Sequence, residues 1–81
     1  MEKKYKFITI KPSKNGVFTK TAKGQHPLYV ITNNRGGDII GILSFYGPWK
    51  QYVFESGDAV FNDSCLRDVL DFMDKIKQGV V

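Results

Sequence analysis

From Tyr5 to Phe54 apolar and polar residues alternate with a period near two, interrupted by turn-forming clusters, and after Asn62 the period lengthens to that of a helix. Tyr5-Lys6-Phe7-Ile8-Thr9-Ile10 is rich in aromatic and β-branched residues and predicts a first strand that Pro12 closes. Residues 11–27 are mostly polar. There Asn15-Gly16 signals a tight turn, and Val17-Phe18-Thr19 predicts a short second strand folded back on the first, ahead of a mobile lysine-bearing stretch. Pro27 introduces the strand Leu28-Tyr29-Val30-Ile31-Thr32, ended by the turn-prone run Asn33-Asn34-Arg35-Gly36-Gly37-Asp38. Asp38 to Tyr46, with Ile39, Ile40, Ile42, Leu43 and Phe45, predicts a central strand covered on both faces. Gly47-Pro48 supplies the next turn, and Trp49 to Phe54 reads as its partner strand. Ser56-Gly57-Asp58 then turns the chain into the short segment Ala59-Val60-Phe61.

The last part is helical. Asn62, Asp63 and Ser64 are all good N-cap residues, and Gly79 is a natural stop. At 100° per residue Cys65, Leu66, Val69, Leu70, Phe72, Met73 and Ile76 fall within an arc of about 160°, which predicts one buried face. Arg67, Asp68, Asp71, Asp74 and Lys75 form the solvated face, where Asp63 with Arg67, Arg67 with Asp71 and Asp71 with Lys75 stand four residues apart. The expected architecture is α+β: an antiparallel sheet of four to five strands with one C-terminal helix on one face, forming a single domain over 1–81.

In such a sheet Tyr5 and Phe7, Tyr29 and Ile31, Ile40, Ile42 and Tyr46, and Tyr52 and Phe54 each line one strand face. Both faces are then apolar, and one helix covers only one. The other must be closed by the 11–27 loop, by a second copy of the chain or by a partner.

Length leaves room for one small core, and 42% apolar with 25% charged residues is ordinary for a folded domain. The net charge of +4 is mild but polarised. Residues 1–27 carry seven lysines against Glu2, a basic strand and loop that either blunts a sheet edge or faces an anion. One cysteine forms no internal disulfide, and the first residues lack a signal peptide's apolar block, so a cytoplasmic protein is expected. No apolar run reaches the roughly 20 residues of a membrane span.

His26 and Cys65 are the only soft metal ligands, which excludes a conventional zinc site in one chain. His26 reads as a surface imidazole and Cys65 as a small core residue; no phosphate loop or nucleophile elbow accompanies them. No catalytic site and no cofactor are expected. Trp49, just after the turn, is placed to be part-exposed, and Arg35 and Lys50 lie in or beside turns; Trp, Tyr and Arg dominate binding hot spots.

The run Gly41-Ile42-Leu43-Ser44-Phe45-Tyr46-Gly47-Pro48-Trp49-Lys50-Gln51-Tyr52-Val53-Phe54, with Val60-Phe61-Asn62 and Cys65-Leu66-Arg67-Asp68-Val69-Leu70-Asp71-Phe72, resembles a group of small bacteriophage and prophage proteins of unassigned function. They share an aromatic pair, a Trp-x-x-Tyr-x-Phe strand and a Cys-Leu-x-Asp helix start; the resemblance spans about 38–76, with Phe45 where Trp is usual and no proline after the Tyr-x-Phe strand. It implies a phage or mobile-element origin. Taken with the aromatic strands, the expected function is a non-catalytic binding protein that occupies a macromolecular partner, such as a host or defence protein. Tyr29, Arg35, Tyr46, Trp49, Lys50, Tyr52 and Phe54 would make the contact, and homodimerisation through the same aromatic face is compatible with it. The alternative is a single-stranded DNA or RNA binder that stacks bases on Tyr29, Tyr46 and Tyr52 while Lys3, Lys4, Lys6, Lys11 and Lys23 contact phosphates.

Overall fold

The computed structural model describes residues 2–13, 18–21 and 24–79. Among these residues seven strands and one α-helix follow one another: β1 (Lys3–Lys4), β2 (Ile8–Pro12), β3 (Phe18–Thr21), β4 (Gly24–Pro27), β5 (Tyr29–Asn33), β6 (Ile39–Tyr46), β7 (Gln51–Glu55) and α1 (Asp63–Gln78). Five of the strands form one antiparallel sheet in the order β1-β2-β5-β6-β7, and β3 pairs only with β4 as a separate hairpin. The expected α+β architecture is therefore present, with an open sheet and one C-terminal helix.

Two details of the N-terminal part differ from the sequence reading. Tyr5 to Phe7 is a bend rather than strand: the Tyr5 N–H donates to the Ile8 carbonyl at 2.7 Å, and Lys3 and Lys4 fold back to pair with Ile10 and Thr9. Asn34 holds this bend, its backbone N–H donating to the Phe7 carbonyl at 3.0 Å and its side-chain amide to the Tyr5 carbonyl at 2.8 Å. Pro12 closes β2 as the sequence implies, as its last residue and opposite Tyr29. It is tolerated because β1 pairs only with Thr9 and Ile10, so proline's missing N–H costs the sheet no bond on that side. The expected second strand is real from Phe18 onward but pairs with β4, not with the first strand. Val17 and the predicted Asn15-Gly16 turn lie outside the described residues.

The helix begins and ends as its caps dictate. The Asn62 side chain accepts from the Cys65 N–H at 2.8 Å, and Gly79, left-handed at φ 75°, returns its N–H to the last turn. Its buried face is narrower than the periodicity implies. Cys65, Val69 and Phe72 are buried and Met73 and Ile76 pack beside them, but Leu66 and Leu70 at the margin of the arc are exposed, Leu70 to 59%. A single helix meets a sheet along a stripe, and residues more than a quarter-turn from its centre have no neighbour to bury against. The core comprises Ile8, Ile10, Tyr29, Ile31, Leu43, Cys65, Val69 and Phe72. On the polar side Arg67 pairs with Asp63 at 3.6 Å and Lys75 with Asp71 at 2.8 Å.

A β-bulge decides how the central strand is used. Ile31 opposes Gly41 while Thr32 opposes Ile39, which leaves Ile40 as the inserted residue. Ile40 is thereby turned into the core, and Ile39 points outward, 66% exposed. Gly41 beside it lets the sheet close: a methyl group there would stand 3.1 Å from both the Phe54 ring and the Glu55 carbonyl oxygen.

These contacts set a stability order. Phe72→Ala should cost about 3–5 kcal/mol by opening a core cavity, whereas Leu70→Ala should stay within about 0.5 kcal/mol because little burial is lost. Gly41→Ala should cost roughly 1–3 kcal/mol through overpacking against Phe54. Urea melts of the three variants check the order, and equal losses at positions 70 and 72 would mean that the helix is seated differently.

Candidate functional site

Strand register assigns the sheet's two faces. Alternation places Ile8, Ile10, Tyr29, Ile31, Leu43, Phe45, Tyr52 and Phe54 toward the helix. It places Thr9, Val30, Thr32, Ile42, Ser44, Tyr46, Val53 and Glu55 on the opposite face. The β3–β4 hairpin packs on the helix side too: His26 of β4 stacks on Phe45, ring centroids 3.7 Å apart and nearly parallel at 11°. On the opposite face Thr9 and Thr32 are buried, with the Asn34 side chain bonded to Thr9, while Tyr46 and Glu55 at the β6–β7 end are exposed.

This geometry divides the sequence-predicted contact residues. Tyr29 is buried, its ring edge-on to Phe72 at 5.1 Å. Tyr52 lies against Tyr29 and Phe45 and donates its hydroxyl to the Pro27 carbonyl at 2.7 Å, while Phe54 packs edge-on against Phe61 at 5.0 Å. Tyr46, Tyr52 and Phe54 therefore do not share a surface, because Tyr46 pairs with Gln51 and belongs with Val53 on the open side. Likewise Ile40 is separated from Ile42 and Tyr46 by the bulge. Arg35 sits in the β5–β6 turn, its backbone N–H donating to the Asn33 side-chain oxygen at 2.9 Å, at the far end of β6 from Tyr46.

What remains at the surface is a compact cluster around the β6–β7 turn. Trp49 does not continue β7 as the sequence reading has it. Pro48, with its fixed φ, starts a 3₁₀ turn over Gly47–Trp49, and the chain rejoins the sheet through Lys50. Lys50 adopts the left-handed region at φ 54°, the only non-glycine to do so among the described residues, and its N–H donates to the Gly47 carbonyl at 3.0 Å. This turn sets the Trp49 ring edge-on to Tyr46 at 5.0 Å while leaving Trp49 65% and Tyr46 44% exposed. A shallow depression of about 270 Å³ beside them is lined by Ser44, Tyr46, Trp49, Val53 and Glu55.

The lysines expected to meet an anion lie elsewhere. Lys3 and Lys4 form the opposite edge strand, Lys6 is in the bend after it, and Lys11 is on β2. Lys3 and Lys6 hold their ammonium groups 5.6 and 5.3 Å from the Tyr5 and Phe7 ring centroids, a cation–π arrangement. Lys23 lies outside the described residues. His26, read from sequence as a surface imidazole, is half-buried on Phe45. Its position comes from the hairpin's tertiary docking, for which the local sequence carries no signal. Among the described residues no three His, Cys, Asp or Glu side chains gather to hold a metal ion.

Two tyrosine hydroxyls beside the core give a pH signature. Desolvation, with Tyr29 adding to it, pushes the Tyr52 phenol up to about 12, and burial together with the hydrogen bond to Asp71 raises Tyr5 further still. Both are more easily deprotonated in the unfolded chain. Their stabilisation is thus complete below about pH 10 and is lost as pH rises toward the folded-state values. Tyr52→Phe should lose less stability than the unaltered chain over this interval, as read from urea midpoints alongside the phenolate absorbance. An identical alkaline decline in both would show that Tyr52 is solvated.

No protein-family model, no curated protein and no solved structure matches this chain, so the functional reading rests on the geometry of the Tyr46–Trp49 cluster and the open face behind it.

Proposed function

We propose that the chain is a non-catalytic binding module of phage or mobile-element type that docks a protein partner on the open sheet face, with Tyr46 and Trp49 as its anchor. The observation that carries this reading is the exposed Tyr46–Trp49 pair, set edge-on by the 3₁₀ turn. Tyr29 is buried and Tyr52 and Phe54 are half-buried on the helix side, whereas these two rings face solvent beside Val53. Preformed aromatic anchors lose little conformational freedom on binding, which is why Trp and Tyr concentrate interface energy. The neighbouring depression has the size to accept one side chain from the partner, and Ser44 and Glu55 supply its polar lining.

The nucleic-acid alternative draws less from this arrangement. Of the three tyrosines it uses for stacking, only Tyr46 is open, and the lysines Lys3, Lys4 and Lys6 sit at the sheet's other edge.

The test is quantitative copurification from the native host, with the captured protein identified and its affinity measured. Trp49→Ala should weaken that affinity by about 30-fold, the ~2 kcal/mol of a hot-spot residue, and leave the melt within about 0.5 kcal/mol. Arg35→Ala, at the far end of the sheet, should bind normally. Retention of the partner by Trp49→Ala would overturn the proposal. So would tight, Tyr46-dependent binding of a fluorescent oligonucleotide at physiological salt.

A further inference from the structure

The two free edges of the sheet are built differently. β1 is two residues long and both are lysines, a short charged edge of the kind that prevents strand addition. β7 is five residues long, Gln51-Tyr52-Val53-Phe54-Glu55, without lysine or proline, and among the described residues no strand lies beyond it. An edge of that composition is a template for another strand.

Its sequence also identifies which strand. By chemical class β7 reads the same in both directions: polar, aromatic, β-branched, aromatic, polar. We infer that this edge pairs with the same edge of a second copy, antiparallel about a two-fold axis through Val53, to make one continuous ten-stranded sheet. In that register Gln51 opposes Glu55 of the second copy, Tyr52 opposes Phe54, and Val53 opposes itself. The acid meets an amide that can donate to it, not a second acid; a parallel pairing in register would set Glu55 beside Glu55. Tyr52 and Phe54, half-buried on the helix side, meet across the axis as aromatic cross-strand pairs, and Val53 meets Val53 on the open side. A two-fold through a residue satisfies the outward backbone groups whichever set faces out. Either Gln51, Val53 and Glu55 exchange the bonds, or Tyr52 and Phe54 do.

Such an axis runs perpendicular to the sheet, so both helices lie on one side and both open faces on the other. From strand spacing and rise, the two Tyr46 positions would stand about 20 Å apart on one surface. This pairing does not rest on the partner proposed above, since it is argued from the backbone edge of β7, although Val53 and Glu55 also line the depression beside Tyr46 and Trp49.

Charge exchange at an exposed position tests it without disturbing the core. Sedimentation of the full chain across micromolar concentrations should show a monomer–dimer equilibrium. Gln51→Glu, which sets two acid pairs against each other, should raise the dissociation constant by about 2- to 30-fold, and Gln51→Lys should lower it at low salt. Adding Glu55→Gln to Gln51→Glu should restore the original value, because the acid then faces an amide again. Val53→Cys should form a disulfide-linked dimer on mild oxidation, against the buried Cys65 of the unaltered chain as control. A monomer at all concentrations would overturn the inference, as would a dimer whose constant is the same in Gln51→Glu and Gln51→Lys, or a Val53→Cys chain that does not cross-link.

Discussion

The seating of Phe72 on Tyr29 is the contact on which the rest of this small structure depends. Phe72 is fully buried, and its ring meets Tyr29 edge-on, beside Ile8, Ile10, Ile31 and Leu43. A helix about 10 Å wide covers two or three strands of a sheet whose neighbours are spaced about 4.8 Å. With the helix committed over β2, β5 and β6, the remaining aromatic residues of the helix side need another cover. The β3–β4 hairpin provides it at one end, through His26 on Phe45 and the Pro27 carbonyl on the Tyr52 hydroxyl, and Phe61 provides it over Phe54. All of these elements are used on one side of the sheet.

The polar contacts secure the parts that the core does not reach. Tyr5 reaches from the N-terminal bend to donate its hydroxyl to Asp71 at 2.8 Å, and the same carboxylate accepts from Lys75, whose hydrogen bond does most to hold Asp71 below its ordinary range. Thr9 donates its hydroxyl to the Asn34 side-chain oxygen, so Asn34 ties the bend, β2 and the β5–β6 turn together. The bend beside the lysine-bearing edge is thus fastened to both the helix and the sheet, whereas among the described residues β7 pairs with β6 alone. That asymmetry separates a finished edge from an available one. It also places the exposed rings of Tyr46 and Trp49 next to the available edge.

Local physics was legible in the residues, and non-local physics was not. The N-cap at Asn62, the stop at Gly79 and two of the three ion pairs implied by the spacing, Asp63 with Arg67 and Asp71 with Lys75, depend on neighbours within four positions, whereas Arg67 turns to Asp63 and Asp71 to Tyr5 and Lys75. The strands at β5 and β6 follow from their β-branched runs and the turn residues between them. The bend at Tyr5–Phe7 was hidden because its two aromatics continue the strand's alternation, although Tyr5 packs on the core from a turn and Phe7 is exposed. Trp49 was visible as a candidate contact from its place after Gly47-Pro48, but its edge-on pairing with Tyr46 depends on Lys50 taking a left-handed conformation.

By itself the sequence determined an α+β domain, an antiparallel sheet, a C-terminal helix with its caps and a basic first segment, since each follows from period, cap or composition. Only the tertiary structure decided which aromatic residues are core and which are surface. Alternation says that neighbours along a strand face opposite ways but not which way is inward, and one inserted residue at Ile40 exchanges the faces for everything beyond it. Exposure of Leu70 and Ile39 and the separation of Tyr46 from Tyr52 all turn on that choice, which is fixed by where the helix and the hairpin dock.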